Sequence, residues 1–232
     1  MEERGIFRRT PSFIVELDPP LKPSFESWFP HQKFLKPFDA VNLTDSPMGV
    51  PHVHSLAAGS LLQSRLKVPC LCNLRVGGLG RVEVKSMVLT AAALGLKWLV
   101  FTRGDKSEGL LSVVEALDEV EEVRRLGGVH IGVVCGKPVS LKLVEEKLAR
   151  GAEFIVADSN LGLGELRELA RIVTRFSAKL VAGLSLKEDS EDLQERVRRL
   201  ENLVDGFCLM WVEDLKKAAE VAWMLRELVG RK

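Results

Sequence analysis

The chain has 232 residues, 46% of them hydrophobic and 28% charged, with 33 Lys+Arg against 32 Asp+Glu and a formal net charge of +1. The apolar content excludes a disordered chain, and the even mixing of acids and bases excludes the footprint of a nucleic-acid binder. No apolar run approaches the ~18 residues of a membrane span, and charges stand at Glu2, Glu3, Arg4, Arg8 and Arg9 where a signal peptide would be apolar, so one soluble, cytoplasmic domain is expected.

Eight short apolar runs rich in β-branched or aromatic residues follow in chain order: 13–17, 39–44, 68–73, 98–102, 130–135, 154–158, 179–184 and 206–211. Between the first two, the Pro-rich stretch 19–37 predicts irregular chain in place of a regular helix. After the fourth run, Ser107 is placed to cap a helix in which Leu110, Leu111, Val114, Leu117, Val120 and Val123 form one stripe, ended by Gly127 and Gly128. Ser140 and Ser190 are placed to cap two more helices, the first closed by Gly151. Glu191 and Asp192 stand in the first turn of the second, where carboxylates suit the helix dipole. A last helix is expected from about Glu213 to Leu228. Strict alternation of strand and helix demands a parallel sheet with right-handed crossovers, and eight units are the number that closes a single-domain (β/α)8 barrel over 1–232. An open doubly wound sheet is the alternative.

In such a barrel, chemistry sits at the C-terminal ends of the strands. The polar residues there are Glu16 within run one and Asp18 just after it, Asn42 and Thr44 at the end of run two with Asp45 next, Arg103 and Asp105 after run four, and Asp158 ending run six with Asn160 beyond. Glu16 stands out, because a carboxylate inside Phe-Ile-Val-Glu-Leu is costly to bury unless it is paired or holds a proton. Pairing with an Arg or Lys would make it structural; a held proton would make it an acid. Arg103 and Asp105 could equally belong to a surface loop, and Asn42 and Thr44 could cap one.

These residues carry a resemblance. The segment 15–20, Val-Glu-Leu-Asp-Pro-Pro, resembles the first strand of the methylenetetrahydrofolate reductases, and 41–49 with 55–58 resembles their second strand and loop. The run into Gly104-Asp105 and the segment 146–155 are similar to their approaches to strands four and six. The resemblance implies a flavin-dependent barrel, holding FAD or FMN, that reduces a methylene-tetrahydropterin or folate to the methyl form with NADH, NADPH or another electron donor. It implies Glu16 as general acid and Asp105 as the charge beside flavin and pterin. Thr44, Arg103 and Lys147 become cofactor contacts, and Asn42 and Asp158 substrate contacts. The chain departs from that pattern at Cys70–Asn73, at 134–138 and at Ala157-Asp158, and the resemblance implies that several of these positions grip the flavin in the family. A catalytically divergent barrel, serving as a pterin-binding or complex-forming subunit, is the second reading; a homo-oligomer or a partner subunit fits either.

A phosphate-handling aldolase or isomerase is disfavoured, since the loops after strands seven and eight carry Glu188, Asp189, Glu213 and Asp214 where such barrels hold phosphate. No metal site is expected: His52 and His54 have no acidic or thiol neighbour in sequence, and Cys70, Cys72, Cys135 and Cys208 lack paired metal-ligand spacing and read as reduced core thiols. Gly77-Gly78-Leu79-Gly80 lacks the Lys-Ser/Thr of a phosphate loop. Trp98, Trp211 and Trp223 read as core or rim residues.

Overall fold

The computed structural model describes residues 5–7, 9–105 and 109–230. Eight strands, β1 (Ser12–Leu17), β2 (Ala40–Leu43), β3 (Cys70–Arg75), β4 (Trp98–Thr102), β5 (His130–Cys135), β6 (Phe154–Ala157), β7 (Lys179–Ser185) and β8 (Gly206–Met210), form one closed parallel barrel. Each pairs with its neighbour in sequence, and β8 closes on β1 through Ser12↔Gly206 to Val15↔Leu209. The expected (β/α)8 barrel is therefore the fold, and the open sheet is excluded by that last pairing.

The helices are α1 (Gln32–Leu35), α2 (Ser55–Leu66), α3 (Arg81–Ala93), α4 (Val113–Gly127), α5 (Leu141–Ala149), α6 (Leu163–Arg175), α7 (Ser190–Leu200) and α8 (Leu215–Val229). α1 is a single turn in the irregular stretch the prolines predict. Ser107 lies outside the described residues, as do Met1 to Arg4 and Arg8. α4 begins later than its sequence stripe suggests, at a capping box in which the Ser112 hydroxyl accepts from the Glu115 N–H and the Glu115 carboxylate accepts from the Ser112 N–H. Its end is as expected, with Gly128 at φ +58. Ser140 caps α5 as predicted. α7 takes Asp189 as its cap, so Ser190 is its first residue, and Asp214 caps α8 by accepting from Lys216 and Lys217.

Period two sorts each strand into an outward and an inward row. Outward side chains such as Val15, Leu43 and Leu99 pack under the helices against Leu62, Val88 and Leu166. Inward ones, among them Ile14, Ala40, Leu71, Val100, Phe154 and Cys208, fill the barrel itself. Ile6 and Phe7 plug its N-terminal end, with Phe7 edge-on to Trp98 and Phe154 at 5.9 Å. The interior is thus packed solid from below, leaving open only the C-terminal mouth.

Candidate active site at the barrel mouth

The inward rows end in polar residues. Ile14 is followed on its face by Glu16, Ala40 by Asn42, Leu71 by Asn73 and Val156 by Asp158. These side chains, with Val134, Met210 and Trp211, line a cleft of about 130 Å³ at the mouth. β7 contributes no side chain to it: a Cβ on Gly183 would come within 2.6 Å of the Ser159 N–H nitrogen, so glycine there makes room for the β6 turn to lean across the barrel. That turn is held by Asp158, whose N–H donates to Cys135 O at 2.9 Å and whose carboxylate accepts from the Asn160 N–H at 3.1 Å.

Glu16 forms the floor. Registered against Asn42 in the β1–β2 ladder, it accepts a hydrogen bond from Asn42 Nδ2 at 3.0 Å. Burial first, then the carboxylates of Asp18 and Asp158, push its carboxyl up from 4.5 to about 7, against the opposing pull of the Asn42 bond. Some of the Glu16 side chain still meets solvent through the cleft, so the acid is both poised and reachable. The cationic partner that a structural Glu would require is replaced by an amide. Two buried amide oxygens beside it, Asn42 Oδ1 and Asn73 Oδ1, have no hydrogen-bond partner, although Asn42 is only 2% and Asn73 only 8% exposed. Buried acceptors of this kind are rare and are expected to meet a ligand or water.

Trp211 closes the upper side. It is 49% exposed, adopts φ +62 in the left-handed region that a bulky side chain seldom enters, and carries the Lys187 ammonium 4.1 Å from its ring centroid. Such backbone outliers persist where the surroundings over-determine them, and they gather at functional sites.

The other predicted residues lie apart. Thr44 is buried beside the cleft, its hydroxyl donating to Asp18 Oδ1 at 2.6 Å. Asp105 is exposed and accepts from the Met48 N–H at 2.8 Å, fastening the β2–α2 loop; Asp158, not Asp105, is the second carboxylate of the cleft. Arg103 is exposed at the end of β4. Lys147 lies on α5, half-buried against the outside of the barrel, donating to Val134 O at 3.3 Å, and burial lowers its amine. The residues expected to hold a flavin are therefore scattered over the mouth, a loop and a helix flank. A cleft well below the ~300–1,000 Å³ of sites for drug-sized ligands gives that cofactor no cradle among the described residues, and no step below runs through one.

His54 caps α2 by accepting from the Leu56 N–H, and His52 donates to Val50 O, so both serve the loop. All four cysteines are free and buried, as expected. Besides the apolar Val134, Val156 and Met210, two lining residues were not among the sequence candidates. Asn73 was signalled by its period-two spacing from Leu71, and Trp211 by its place at the end of the eighth run.

No family model matches the chain, and no curated protein matches it. Solved structures do. A chain of the tryptophan synthase a2b2 complex from Pyrococcus furiosus aligns at 16% identity with a TM-score of 0.63, covering 95% of this chain and 97% of that one. A second structure of that complex gives 15% and 0.62, and a mutant tryptophan synthase alpha-subunit from the same organism gives 16% and 0.63, each with the same coverage. Likeness at this identity shows the barrel fold. It also overturns the resemblance to methylenetetrahydrofolate reductases and with it the reduction of a methylene-tetrahydropterin, the flavoprotein reading and the divergent pterin-binding subunit, since none of these neighbours is described as a reductase. The physical reason is that the matching segments do generic work. Gly151, at φ +89, with buried Ala152 and Phe154 is the turn that any helix needs to enter a barrel strand, and Gly104-Asp105 is a loop anchor.

Proposed function

We propose that the protein is an enzyme that moves a proton to or from a small polar substrate seated in the mouth cleft, with Glu16 as the general acid–base. The observation that carries this reading is the Glu16 carboxyl raised to about 7, on the cleft floor and in reach of solvent. An acid works best when its pKa lies near the working pH, because it is then both substantially protonated and a ready donor. Asp158 brings a second carboxylate to the cleft wall, where it favours positive charge developing on the substrate. Asn42 orients the Glu16 carboxyl through its Nδ2 bond. The four free, buried cysteines suit a reducing compartment, and a cytoplasmic location is part of the same proposal. Association with a copy or a partner subunit is also part of it, favoured by the exposed apolar side chains Val82 and Leu89 on α3. Among the described residues, no helix is long and apolar enough to cross a membrane.

Carboxyl-carbon NMR of the Glu-labelled protein tests the assignment, with Glu16→Gln identifying the resonance. Glu16 is expected to titrate near neutrality, and incubation with a metabolite mixture should consume a compound that the Glu16→Gln protein leaves intact. A resonance titrating at the ordinary Glu value, or equal consumption by the variant, removes Glu16 from the reaction.

A further inference from the structure

We propose that the mouth cleft recognises the amidinium or guanidinium head group of its ligand, a flat cation that offers only N–H donors. This rests on the reading of the cleft as the substrate site and adds the substrate class. Acceptors predominate among the polar groups of the cleft wall; its side-chain amide and ring donors are Asn42 Nδ2, already bonded to Glu16, Asn73 Nδ2 and the Trp211 indole N–H. Glu16 and Asp158 bring carboxylates, and Asn42 Oδ1 and Asn73 Oδ1 are buried amide oxygens with no partner among the described residues. Among the described residues no Lys, Arg or His lines the cleft itself, and the Lys187 ammonium lies over the Trp211 ring at its border. A phosphate or carboxylate would add acceptors to acceptors and leave both amide oxygens unpaired.

The number and placement of these acceptors choose among cations. They project from four strands, β1, β2, β3 and β6, and so surround a ligand rather than cap one end of it. An ammonium has three donors in a compact tripod, fewer than the acceptors present. An amidinium has four N–H groups in one plane and a guanidinium at least five, directed outward around the rim of a flat group. The remaining walls suit the apolar faces of a flat cation: Val134, Val156 and Met210 are apolar, and Trp211, whose ring carries the Lys187 ammonium, borders the cleft. The cleft, about 130 Å³, admits a head group of this size while the rest of the ligand extends past the half-exposed Trp211 into solvent.

Binding should be linked to protons. Among the described residues, the charged and titratable groups facing Glu16 are the carboxylates of Asp18 and Asp158 and the Cys208 thiol, with no cation among them. A cation in the cleft supplies the missing positive charge and favours ionised Glu16. With Glu16 titrating at about 7, the affinity for a cation is expected to rise about tenfold between about pH 6 and about pH 8, with close to one proton released on binding at the lower pH.

The test is calorimetry with acetamidinium chloride and guanidinium chloride at millimolar concentrations, against methylammonium, acetamide and acetate at the same ionic strength. Acetamidinium and guanidinium should bind, with the tenfold pH dependence, while the other three bind at least tenfold more weakly. Asn73→Ala should weaken acetamidinium about tenfold without altering the Glu16 titration, because it removes an acceptor that is hydrogen-bonded to neither Glu16 nor Asn42. Acetamide or acetate binding as well as acetamidinium overturns the proposal, as does no saturation by either planar cation. If those failures occur while Glu16 still titrates near neutrality, the acid–base reading stands alone. If the cations bind and Glu16 titrates at its ordinary value, head-group recognition stands and the acid–base reading falls.

Discussion

Glu16 shows how one residue can be chosen against stability. Its carboxyl is raised from 4.5 in the unfolded chain to about 7 in the fold, mainly because burial penalises the charged form. At acid pH both states hold the proton and the fold suffers nothing. As pH rises from 4.5 towards 7, the unfolded chain ionises first, so stability falls through that window and stays lower above it, by an amount on the order of 3 kcal/mol. Glu16→Gln cannot ionise and keeps an oxygen for the Asn42 Nδ2 donor. Urea unfolding at a series of pH values should therefore show the variant with a flatter profile across this window and greater stability than the parent above about pH 7. Parallel profiles for the two proteins would mean that Glu16 is an ordinary carboxylate. The loss would be unaccountable for a residue chosen for folding and is expected of one kept for chemistry.

At the scale of the element, the two ends of the barrel are built on opposite plans. At the N-terminal end, an acidic residue just before a strand ties down the strand before it: Asp39 accepts from the Phe13 N–H of β1 at 2.8 Å, and Asp205 from the Leu180 N–H of β7 at 2.9 Å. Glu153 similarly reaches His130 of β5 and Arg124 of α4. These carboxylates all have donors, whereas the amide oxygens at the mouth have none, which separates the end that holds the fold from the end that meets a ligand. Helix starts belong to the first plan. Ser112→Ala removes the hydroxyl that accepts from Glu115 N–H and should cost about 1 kcal/mol of stability, read as a lower urea midpoint with unchanged slope. Because α4 starts outside the cleft, acetamidinium affinity should not move with it.

For the whole molecule, the seam between first and last units decides whether the barrel closes. β1 and β8 pair directly, and Arg226 of α8 crosses the seam. Its Nε donates to Pro37 O at 2.6 Å, its guanidinium pairs with Asp39, and its plane lies 4.8 Å from the Phe13 ring. Both members of the ion pair are largely shielded from water. Arg226→Met keeps much of the stem but leaves Asp39 without its cation, and is expected to cost about 3 kcal/mol. Asp39→Asn in the same chain should recover part of this, because the amide oxygen still accepts from Phe13 N–H without burying a charge. A double-mutant cycle in urea measures the coupling; additive losses would show that the pair contributes nothing beyond its separate parts.

The sequence by itself determined the architecture and the central acid. Eight β-branched runs alternating with capped helical stripes admit few arrangements besides a closed parallel barrel, because period and punctuation are local properties of the chain. Glu16 was legible for a related reason: a carboxylate in an apolar strand has to be explained wherever the strand goes. Asn42 and Asp158 were already candidates at strand ends, but only the tertiary structure brought them together with Glu16 and added Asn73 and Trp211. Asn73, Asp158 and Trp211 are distant in sequence from Glu16 and meet it only because strands β3, β6 and β8 converge on one axis. Asp105, no less polar and also at a strand end, was turned outward to a loop N–H. Period two fixes which face a residue takes within a strand, but past the last ladder hydrogen bond the chain is free to turn. The fate of a polar residue there depends on which neighbouring backbone groups it can satisfy, and that is a property of the assembled barrel.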